Sequence, residues 1–370
     1  MSIKVISVFG TRPEAIKMVP LIKELQNNKN FENIVCVTAQ HREMLDDVLN
    51  KFNIIPDYDL NLMREKQTLT TLTTSIMINL EKIYLEEKPK VVLVHGDTTT
   101  TFCSSLGAFY QKIDIGHVEA GLRSNDLYFP FPEEANRKLT GVLAKYHFAP
   151  TNLSKNNLLK EGVNEKNIYV VGNTVIDTMK YTISNNYIFR NKILRDMDFS
   201  RKVIVVTAHR RESWGKPIIN ICNVVKKISE EYEDIKIVFL THLNPIVRDT
   251  VNSILNGISN VYILDPIDIY DSHNLLSRCF FVMTDSGGIQ EEAPHLGKVV
   301  LVLRNETERE EMIEEGMIKL VGTDRDRIYK FAKELIDNGI EDKVISNVYG
   351  DGNTSKRIVS ILEKNYLGNN

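Results

Sequence analysis

The chain has 370 residues, and 46 Lys and Arg against 49 Asp and Glu give it a formal net charge of −3. This balance argues against a nucleic-acid partner, because such partners are bound by broadly basic surfaces, and any basic side chains that bind an anion must be local. With 42% hydrophobic residues, the chain can bury full cores. Its length predicts two domains of about 100–200 residues each.

Four scattered cysteines and the lack of a long apolar run favour a cytoplasmic protein. No Cys-x-x-Cys pair occurs, which argues against a zinc site and against a disulfide framework. The apolar part of the N-terminus is too short for a signal peptide, and no run approaches the ~18 apolar residues of a membrane span. We therefore expect a cytoplasmic enzyme with no membrane partner and no metal.

Apolar runs of strand length alternate with helical segments along the whole chain. Most runs are rich in Val and Ile and apolar throughout, which is typical of parallel strands covered on both faces. The alternation predicts βαβ units and doubly wound α/β sheets. The predicted strands are residues 4–9, 34–38, 91–95, 115–118, 147–149, 168–171, 203–207, 237–241, 261–264, 279–283 and 299–303.

The strands fall into two sets, which predict domains at residues 1–170 and 171–354, and the polar, weakly patterned segment 181–201 helps to mark the boundary. The last segment, about 355–370, has apolar residues at helical spacing and is predicted to return to the first domain. Strand after strand ends in a polar or glycine cluster, and open α/β sheets bind ligands at that edge. Two such sheets facing each other would enclose a cleft lined from both sides.

The segment 284–292 predicts an anion site after the apolar run 279–283. Gly287 and Gly288 allow a tight turn and a close approach of the backbone to a ligand, and Ser286 is a good helix N-cap. Free backbone amides and the positive end of the helix dipole would then point at one spot. An ordinary turn between a strand and a helix is the alternative.

Two basic residues, Arg12 and Lys17, follow the first predicted strand. They could bind a diphosphate, with Arg12 making bidentate hydrogen bonds through its guanidinium and Lys17 contributing a single ammonium charge. A capped helix with solvated bases is the alternative. Neither a Gly-x-Gly-x-x-Gly run nor a Gly-x-x-x-x-Gly-Lys-[Ser/Thr] run occurs, which argues against bound NAD and against a P-loop NTPase.

Polar residues also end strands of the second half. His209 opens a run of three polar residues at a strand end, and it could contact a phosphate or shuttle a proton, whereas a lone histidine is more often structural. Arg304, Glu308 and Arg309 follow a later strand. For these three residues, a solvated loop is the alternative to a site.

Three carboxylates of the first half are candidates for chemistry. Asp97 precedes four threonines, a poor helix start by propensity, and such a local conflict often marks a site. Glu119 ends a short apolar strand, where it serves no packing purpose. Glu133 follows a proline at a helix start, so helix capping is the alternative for Glu133 as it is for Asp97. Carboxylates that are desolvated together differ in pKa, which permits separate acid and base roles.

Taken together, these motifs resemble those of the non-hydrolysing UDP-N-acetylglucosamine 2-epimerases over nearly the full chain. Several long motifs in the same order are more specific than any one of them. The segments that carry the resemblance are 9–15, 38–42, 95–101, 117–123, 132–137, 172–177, 209–212, 242–245, 285–292 and 349–352.

The resemblance implies two Rossmann-like doubly wound domains of the glycosyltransferase-B type and a homodimer. It also implies reversible interconversion of UDP-N-acetylglucosamine (UDP-GlcNAc) and UDP-N-acetylmannosamine (UDP-ManNAc). The family reaction is an anti elimination of UDP to 2-acetamidoglucal followed by re-addition, and it needs neither NAD nor a metal. The product would feed the synthesis of a cell-surface polysaccharide.

The resemblance also assigns residues, all numbered in this chain. The residues implied for the phosphates are Arg12, Lys17, His209, Ser286, Gly287 and Gly288. Those implied for the cationic sugar ring and the C2 proton are Asp97, Glu119 and Glu133. Glu292 would bind the ribose hydroxyls and Arg309 would contact the substrate, while His209 also counts as a catalytic candidate.

Bacterial relatives often bind UDP-GlcNAc as an activator at a second site. The positions that match this site are Gln40, Glu43, Lys66, Glu134, Arg211 and His242. Glu43 and Lys66 stand where some regulated relatives have Gln and Arg. Near the uracil, Ile267 and Ser272 stand where some relatives have Gln and Phe, and the missing Phe removes a side-chain contact.

Three other functions use parts of the same site. A glycosyltransferase of this fold that uses UDP-GlcNAc would need the nucleotide-binding half but has no evident use for the three carboxylates. A hydrolysing epimerase would release free N-acetylmannosamine, and the lack of a kinase-like extension weakly opposes it. A non-catalytic nucleotide-sugar sensor would need only the phosphate site.

Overall fold

The computed structural model describes residues 2–39, 42–64, 67–210, 213–242, 244–307, 309–340 and 345–368. Tertiary contacts divide the chain into unit 1, Met1–Thr178 with Tyr349–Asn370, and unit 2, Met179–Val348. The division falls inside the helix Thr174–Thr182, whereas the sequence pattern placed it at residue 170, where the first set of strands ends. The first turns of this helix belong to unit 1, because the Thr178 hydroxyl donates to the Ile16 carbonyl oxygen at 2.7 Å.

Unit 1 contains a seven-stranded parallel sheet in the order β3-β2-β1-β4-β5-β6-β7. Its strands are β1 (Ile3–Phe9), β2 (Phe31–Val37), β3 (Tyr58–Asp59), β4 (Val91–His95), β5 (Asp114–Val118), β6 (Tyr146–Ala149) and β7 (Ile168–Val170). Its helices are α1 (Arg12–Asn27), α2 (Arg42–Lys51), α3 (Leu69–Glu87), α4 (Thr99–Tyr110), α5 (Glu133–Leu143), α6 (Asn152–Lys160) and a short 3₁₀ helix, Glu165–Asn167. Helix α7 (Thr174–Thr182) crosses the division between the units.

Unit 2 contains a six-stranded parallel sheet in the order β10-β9-β8-β11-β12-β13. Its strands are β8 (Val203–Thr207), β9 (Lys236–Leu240), β10 (Val261–Leu264), β11 (Phe281–Thr284), β12 (Val299–Val302) and β13 (Ile318–Leu320). Its helices are α8 (Lys192–Arg195), α9 (Lys216–Glu231), α10 (Pro245–Leu255), α11 (Ile269–Arg278), α12 (Gly287–His295), α13 (Glu310–Glu314) and α14 (Arg325–Asn338).

The predicted class, two doubly wound α/β domains with parallel sheets, is confirmed. Central strands such as β4 and β8 are buried along their whole length, as expected for strands covered on both faces. Strands β3 and β13 were not predicted from the sequence. Both lie at the edge of a sheet and are too short to form an apolar run.

The chain order reverses once in each sheet. In unit 1, β1 lies between β2 and β4, and in unit 2, β8 lies between β9 and β11. Open α/β sheets bind ligands beyond the carboxyl ends of the strands at such reversal points. The loops found there are residues 10–12 and 95–97 in unit 1, and 209–210 and 285–288 in unit 2. These loops carry most of the polar clusters that the sequence analysis singled out.

The last helix, α15 (Thr354–Leu367), belongs to unit 1 and packs against α1. Its first two N–H groups, those of Thr354 and Ser355, donate to the Asp177 carboxylate at 3.0 and 2.6 Å, which satisfies amides that have no partner within the helix. A Cβ at Gly172 would lie 2.6 Å from the Thr354 hydroxyl oxygen, so the close approach requires glycine. None of the described helices is long and apolar enough to cross a membrane.

Three buried histidines lie on neighbouring strands of unit 1. His117 and His147 are register partners on β5 and β6, and His95 ends β4. Burial lowers the pKa of His117 to about 3 and the pKa values of His95 and His147 to about 4. The Nε2 atom of His117 lies 2.7 Å from the Gly96 carbonyl oxygen and must donate to it, because a carbonyl only accepts.

We expect the variant His117→Asn to lose stability less steeply in acid. The pKa of His117 lies below the ordinary value of 6.5. Below pH 6.5, this histidine is therefore protonated in the unfolded chain but not in the folded chain. The free energy of unfolding consequently decreases as the pH is lowered. Replacing this histidine should reduce the decrease in the free energy of unfolding by about 1.4 kcal/mol for each pH unit below about 6. Urea unfolding at several pH values between about 7 and 5 measures the slope.

The matched control is His242→Asn, the same substitution at an exposed position, which separates the effect of burial from that of losing a histidine. An unchanged slope in His117→Asn would contradict the assignment of a buried neutral His117.

Candidate functional site

The candidate residues of unit 1 lie beyond the carboxyl ends of β1, β4 and β5. These strands are adjacent in the sheet, so the loops that follow them meet at one edge. Helix α1 adds Lys17, α5 adds Arg137, and the residues after β7 add Asn173. Side chains separated by more than a hundred residues of sequence are thereby brought together.

Glu119 is the centre of one cluster. The Lys17 ammonium donates to its Oε2 atom, and the Asn173 side chain donates to the same oxygen at 2.7 Å. The Nε2 atom of His95 lies 3.9 Å from that oxygen. Glu119 has a positive φ of 65°, a strained conformation for a residue other than glycine and one that is frequent at functional sites.

The structure gives Lys17 a different partner from the one expected. The sequence analysis assigned it to a diphosphate, but its ammonium contacts Glu119, and the two side chains are only 13% and 9% exposed. The attraction between the two charges offsets part of the cost of burying them and fixes the positions of both side chains. Phosphate binding by Lys17 stays a prediction.

Asp97 is held by Arg137, which the sequence analysis did not single out. The Asp97 Oδ2 atom accepts from Arg137 Nε at 2.9 Å and contacts Nη2 at 2.7 Å. Arg137 Nη1 donates to Glu134 at 3.1 Å. The sequence carries a signal only for the contact with Glu134, since Arg137 follows it by three residues and therefore lies on the same helix face.

Glu134 was predicted to belong to an activator site, but its side chain is fully buried. Besides Arg137, its carboxylate accepts the N–H groups of Ser124 and Asn125 at 3.0 and 3.1 Å. Glu134 therefore holds the loop before α5 and offers no exposed surface to a ligand.

Of the other predicted activator residues, Gln40, Lys66 and Arg211 lie outside the described residues, as does the side chain of Glu43. His242 is exposed. The activator site stays a prediction.

Glu133 is the first residue of α5 and is half-buried. Within the part of the chain that the structure describes, its side chain makes no hydrogen bond or ion pair. It is therefore not joined to the clusters of Asp97 and Glu119 by any direct contact. Its predicted catalytic role stays a prediction.

The loop that carries Arg12 is held by a buried carboxylate that the sequence analysis passed over. Thr11 is the N-cap of α1 and forms a capping box with Glu14. Glu14 accepts the N–H groups of Gly10 and Thr11 at 2.9 and 2.8 Å and the Thr98 hydroxyl at 2.6 Å. The Thr-x-x-Glu spacing is the signal that predicts such a box. Arg12, the first residue of α1, is half-buried.

In unit 2, the turn 284–288 joins β11 to α12 as the sequence predicts. Ser286 is the N-cap of α12, and its side chain makes no capping hydrogen bond, so the first amides of the helix are not satisfied by it. A Cβ at Gly287 would lie 3.1 Å from the Arg309 guanidinium. Arg309 therefore lies directly against the beginning of α12, where an anion would bind.

Arg309 is fixed by Glu291, which the sequence analysis did not assign. Both Nε and Nη2 of Arg309 donate to Glu291 Oε1, at 3.0 and 2.7 Å, and the Glu291 side chain is fully buried. The next residue, Glu292, lies 3.7 Å from Nε2 of the buried His273. Burial lowers the pKa of His273 to about 3, and its Nδ1 lies 2.6 Å from the Thr182 hydroxyl.

His209 follows β8 and lies beside the buried Asp285, with its Nδ1 atom 3.2 Å from Asp285 Oδ1. Its ring stacks on that of His242 at a centroid distance of 6.1 Å. Burial lowers the pKa of His209, and the negative charge of Asp285 acts in the opposite direction. Glu308, which precedes Arg309, lies outside the described residues. Ile267 lies before α11, and Ser272 lies on it.

Comparisons with known proteins identify the family of this chain. The family model described as UDP-N-acetylglucosamine 2-epimerase matches residues 23–363. A protein of Clostridium acetobutylicum is 58% identical over 364 residues, which cover 97% of this chain and 94% of that protein. The UDP-N-acetylglucosamine 2-epimerase of Escherichia coli K12 is 50% identical over 373 residues, which cover 98% of this chain and 99% of the relative.

A solved structure agrees in fold as well. The crystal structure of the UDP-GlcNAc 2-epimerase of Neisseria meningitidis, bound to UDP-GlcNAc, matches with a TM-score of 0.91 and 48% identity, and the match covers 98% of this chain and 100% of that one. The predicted family is thus confirmed, and the chain belongs to the UDP-N-acetylglucosamine 2-epimerase family.

Proposed function

We propose that this protein interconverts UDP-GlcNAc and UDP-ManNAc by epimerisation at C2. The observation that carries the proposal is the pair of carboxylates at adjacent strand ends, Asp97 and Glu119, each held by a cation. A nucleotide-binding protein without such chemistry has no evident need for them. The UDP-GlcNAc-bound structure of the Neisseria meningitidis relative supports the choice of substrate.

The chemistry of the substrate limits the mechanism. The C2 proton of the sugar is not next to a carbonyl, so its direct removal is too costly. In the proposed route, the C1–O bond breaks first, its electron pair leaves with UDP, and positive charge develops at C1. A base then takes the C2 proton and the C1–C2 double bond of 2-acetamidoglucal forms. Re-addition of UDP, with a proton delivered to the opposite face of C2, gives the epimer.

The carboxylates of unit 1 suit the sugar end of this reaction. Asp97 and Glu119 would stabilise positive charge at C1 or move the C2 proton, and Glu133 would be the third such group. The contacts of Glu119 with Lys17 and Asn173 keep its carboxylate in one position. Preorganised charge of this kind stabilises a transition state without reorganisation during the reaction.

The residues of unit 2 suit the nucleotide. The first amides of α12, with Ser286, Gly287 and Gly288, would hold the diphosphate together with Arg309. The buried Glu291 holds the Arg309 guanidinium at this helix end. Glu292 would bind the ribose hydroxyls, and His209 would contact a phosphate oxygen. From unit 1, Arg12 would contribute a further cation.

We also propose the biological setting that the resemblance implies. The enzyme would act in the cytoplasm and supply UDP-ManNAc for a cell-surface polysaccharide. The same family resemblance implies a homodimer, and exposed apolar side chains on neighbouring helices of unit 1 support it. These side chains are Ile78 and Leu85 on α3, Phe109 and Tyr110 on α4, and Leu139 and Val142 on α5.

Incubation of the protein with UDP-GlcNAc in D2O tests the proposed reaction. We expect deuterium at C2 together with signals of UDP-ManNAc, because the proton that returns to C2 comes from solvent-exchanged groups. Proton NMR of the C1 and C2 positions measures both. Free N-acetylmannosamine would indicate a hydrolysing epimerase instead, and unchanged UDP-GlcNAc without exchange would contradict the proposal.

We expect Asp97→Asn to lower turnover by at least about a hundredfold, because it removes a charge that the chemical steps use. The dissociation constant of UDP should stay within about threefold of the wild-type value, because Asp97 is assigned to the sugar. Steady-state kinetics and calorimetry measure the two quantities. Asp249→Asn, at an exposed position of α10, is the control and should leave both unchanged. A collapse of UDP affinity in Asp97→Asn would show that its assigned role is wrong.

We expect the wild-type protein to be a dimer and the double variant Tyr110→Glu, Val142→Glu to be a monomer. The two side chains are 64% and 83% exposed, and charges there would oppose burial in an interface. Light scattering after size-exclusion chromatography measures the mass. Ile246→Glu, at an exposed apolar position of α10, should stay dimeric, and a monomeric wild type would refute the proposal.

A further inference from the structure

Asp285 is the first residue after β11 and has no exposed surface. One oxygen of its carboxylate, Oδ2, accepts three hydrogen bonds. The donors are the N–H groups of His209 and Arg210, both at 2.9 Å, and the Ser213 hydroxyl at 2.7 Å. All three belong to the segment after β8, the strand next to β11 in the sheet. Asp285 therefore fixes the backbone on which the His209 ring is carried.

The second oxygen of this carboxylate, Oδ1, is in a different situation. In the described structure it makes no hydrogen bond, although it is buried. Its neighbour is the Nδ1 atom of His209 at 3.2 Å. A buried carboxylate oxygen without a donor costs free energy. The contact with Nδ1 is close enough to act electrostatically, because a proton on Nδ1 attracts this oxygen whereas a lone pair there would repel it.

We propose that Asp285 is a positioning residue for His209: it keeps the proton of the neutral ring on Nδ1 and thereby presents Nε2 as the nitrogen that meets a ligand. The His209 side chain is 41% exposed, whereas Asp285 is fully buried. The ring therefore reaches from the buried carboxylate towards solvent. A carboxylate that orients an imidazole in this way also stabilises the imidazolium once the outer nitrogen takes up a proton.

The other charged and titratable groups near the His209 ring do not stabilise its protonated form. Among the described residues, the groups that act on His209 are Asp285, Arg210 and His242, and only Asp285 favours its protonated form. The ring of His242 stacks on it at an interplanar angle of 17°. The Nδ1 atom of His242 accepts the N–H of Asn244 at 3.0 Å and so carries no proton. Asp285 is thus the group that offsets burial and the Arg210 charge.

The consequence for the reaction rests on the proposed contact of His209 with a phosphate oxygen. A neutral Nε2 cannot donate a hydrogen bond to a phosphate, so the ring must take up a proton when a diphosphate binds. The imidazolium then lies between two negative groups, Asp285 and the diphosphate. Such a cation would stabilise UDP as a leaving group and would release the proton when UDP is lost.

The wild-type protein allows a first test without substrate and without substitution. Two-dimensional ¹H–¹⁵N spectra of protein labelled at histidine report which ring nitrogen is protonated, and the variant His209→Gln identifies the signal. At a pH above the titration of His209, we expect the pattern of a ring protonated at Nδ1. A ring protonated at Nε2 would overturn the inference, and it would do so whether or not the protein epimerises UDP-GlcNAc.

The variant Asp285→Asn gives the second test, because it keeps the shape of the side chain and removes the charge. The NMR titration midpoint of His209 should fall by about one pH unit, a tenfold change in proton affinity. Ser213→Ala is the matched control, since it removes one hydrogen bond to Asp285 and leaves the charge. It should keep the wild-type midpoint, and a midpoint in Asp285→Asn equal to that of the wild type would overturn the inference.

Addition of UDP separates this inference from the proposed function. In the wild type, we expect UDP to raise the titration midpoint of His209, and to raise it less in Asp285→Asn. An Nδ1-protonated ring and a UDP-dependent shift in a protein that shows no deuterium exchange would contradict the epimerase proposal alone. A midpoint that UDP does not change would overturn the role of His209 and Asp285 at the diphosphate.

Discussion

Buried carboxylates that accept backbone N–H groups hold the loops at the carboxyl ends of the strands in both units. In unit 1, Glu14 accepts two N–H groups of the loop after β1 and the Thr98 hydroxyl of the loop after β4. In unit 2, Asp285, which follows β11, accepts the N–H groups of His209 and Arg210 in the segment after the neighbouring strand β8. Each carboxylate joins two loops that flank the reversal of strand order. Because a buried charge is costly without such donors, the loops and the acids stabilise each other.

The same device recurs in two irregular segments and at the beginning of α15. Three further buried acids each accept two consecutive backbone N–H groups, and they are Glu134, Asp177 and Asp271. Asp271 of α11 holds Arg190 and Asn191, which lie in the segment that had no clear pattern in the sequence. That segment is ordered by a distant helix, since its own residues have neither helical nor strand periodicity. In each of these places, a buried acid accepts backbone N–H groups that lack a partner within regular secondary structure.

The charges of the candidate site follow from a second set of contacts. Three acids are each paired with a base, and the pairs are Glu119 with Lys17, Asp97 with Arg137, and Glu291 with Arg309. Pairing offsets part of the cost of burying these charges and fixes the direction in which each side chain points. The proposed chemistry needs both signs of charge, with anions for the cationic ring and cations for the diphosphate. Acid–base pairs supply both signs while adding little net charge to either unit.

The sequence by itself determined the class of fold, most strands and the loops that carry the site, because apolar runs and the polar clusters that end them are local patterns. The family could also be predicted from the sequence, because its motifs are short local patterns that occur in the same order in this chain. Only the tertiary structure decided that Lys17 contacts Glu119, that Arg137 holds Asp97, and that Glu134 is buried. Sheet order sets these contacts by making strands that are distant in sequence adjacent in space, and no local pattern encodes it. The Thr11–Glu14 capping box could have been predicted from its spacing, whereas Asp285 acting on His209 required the register of β8 against β11.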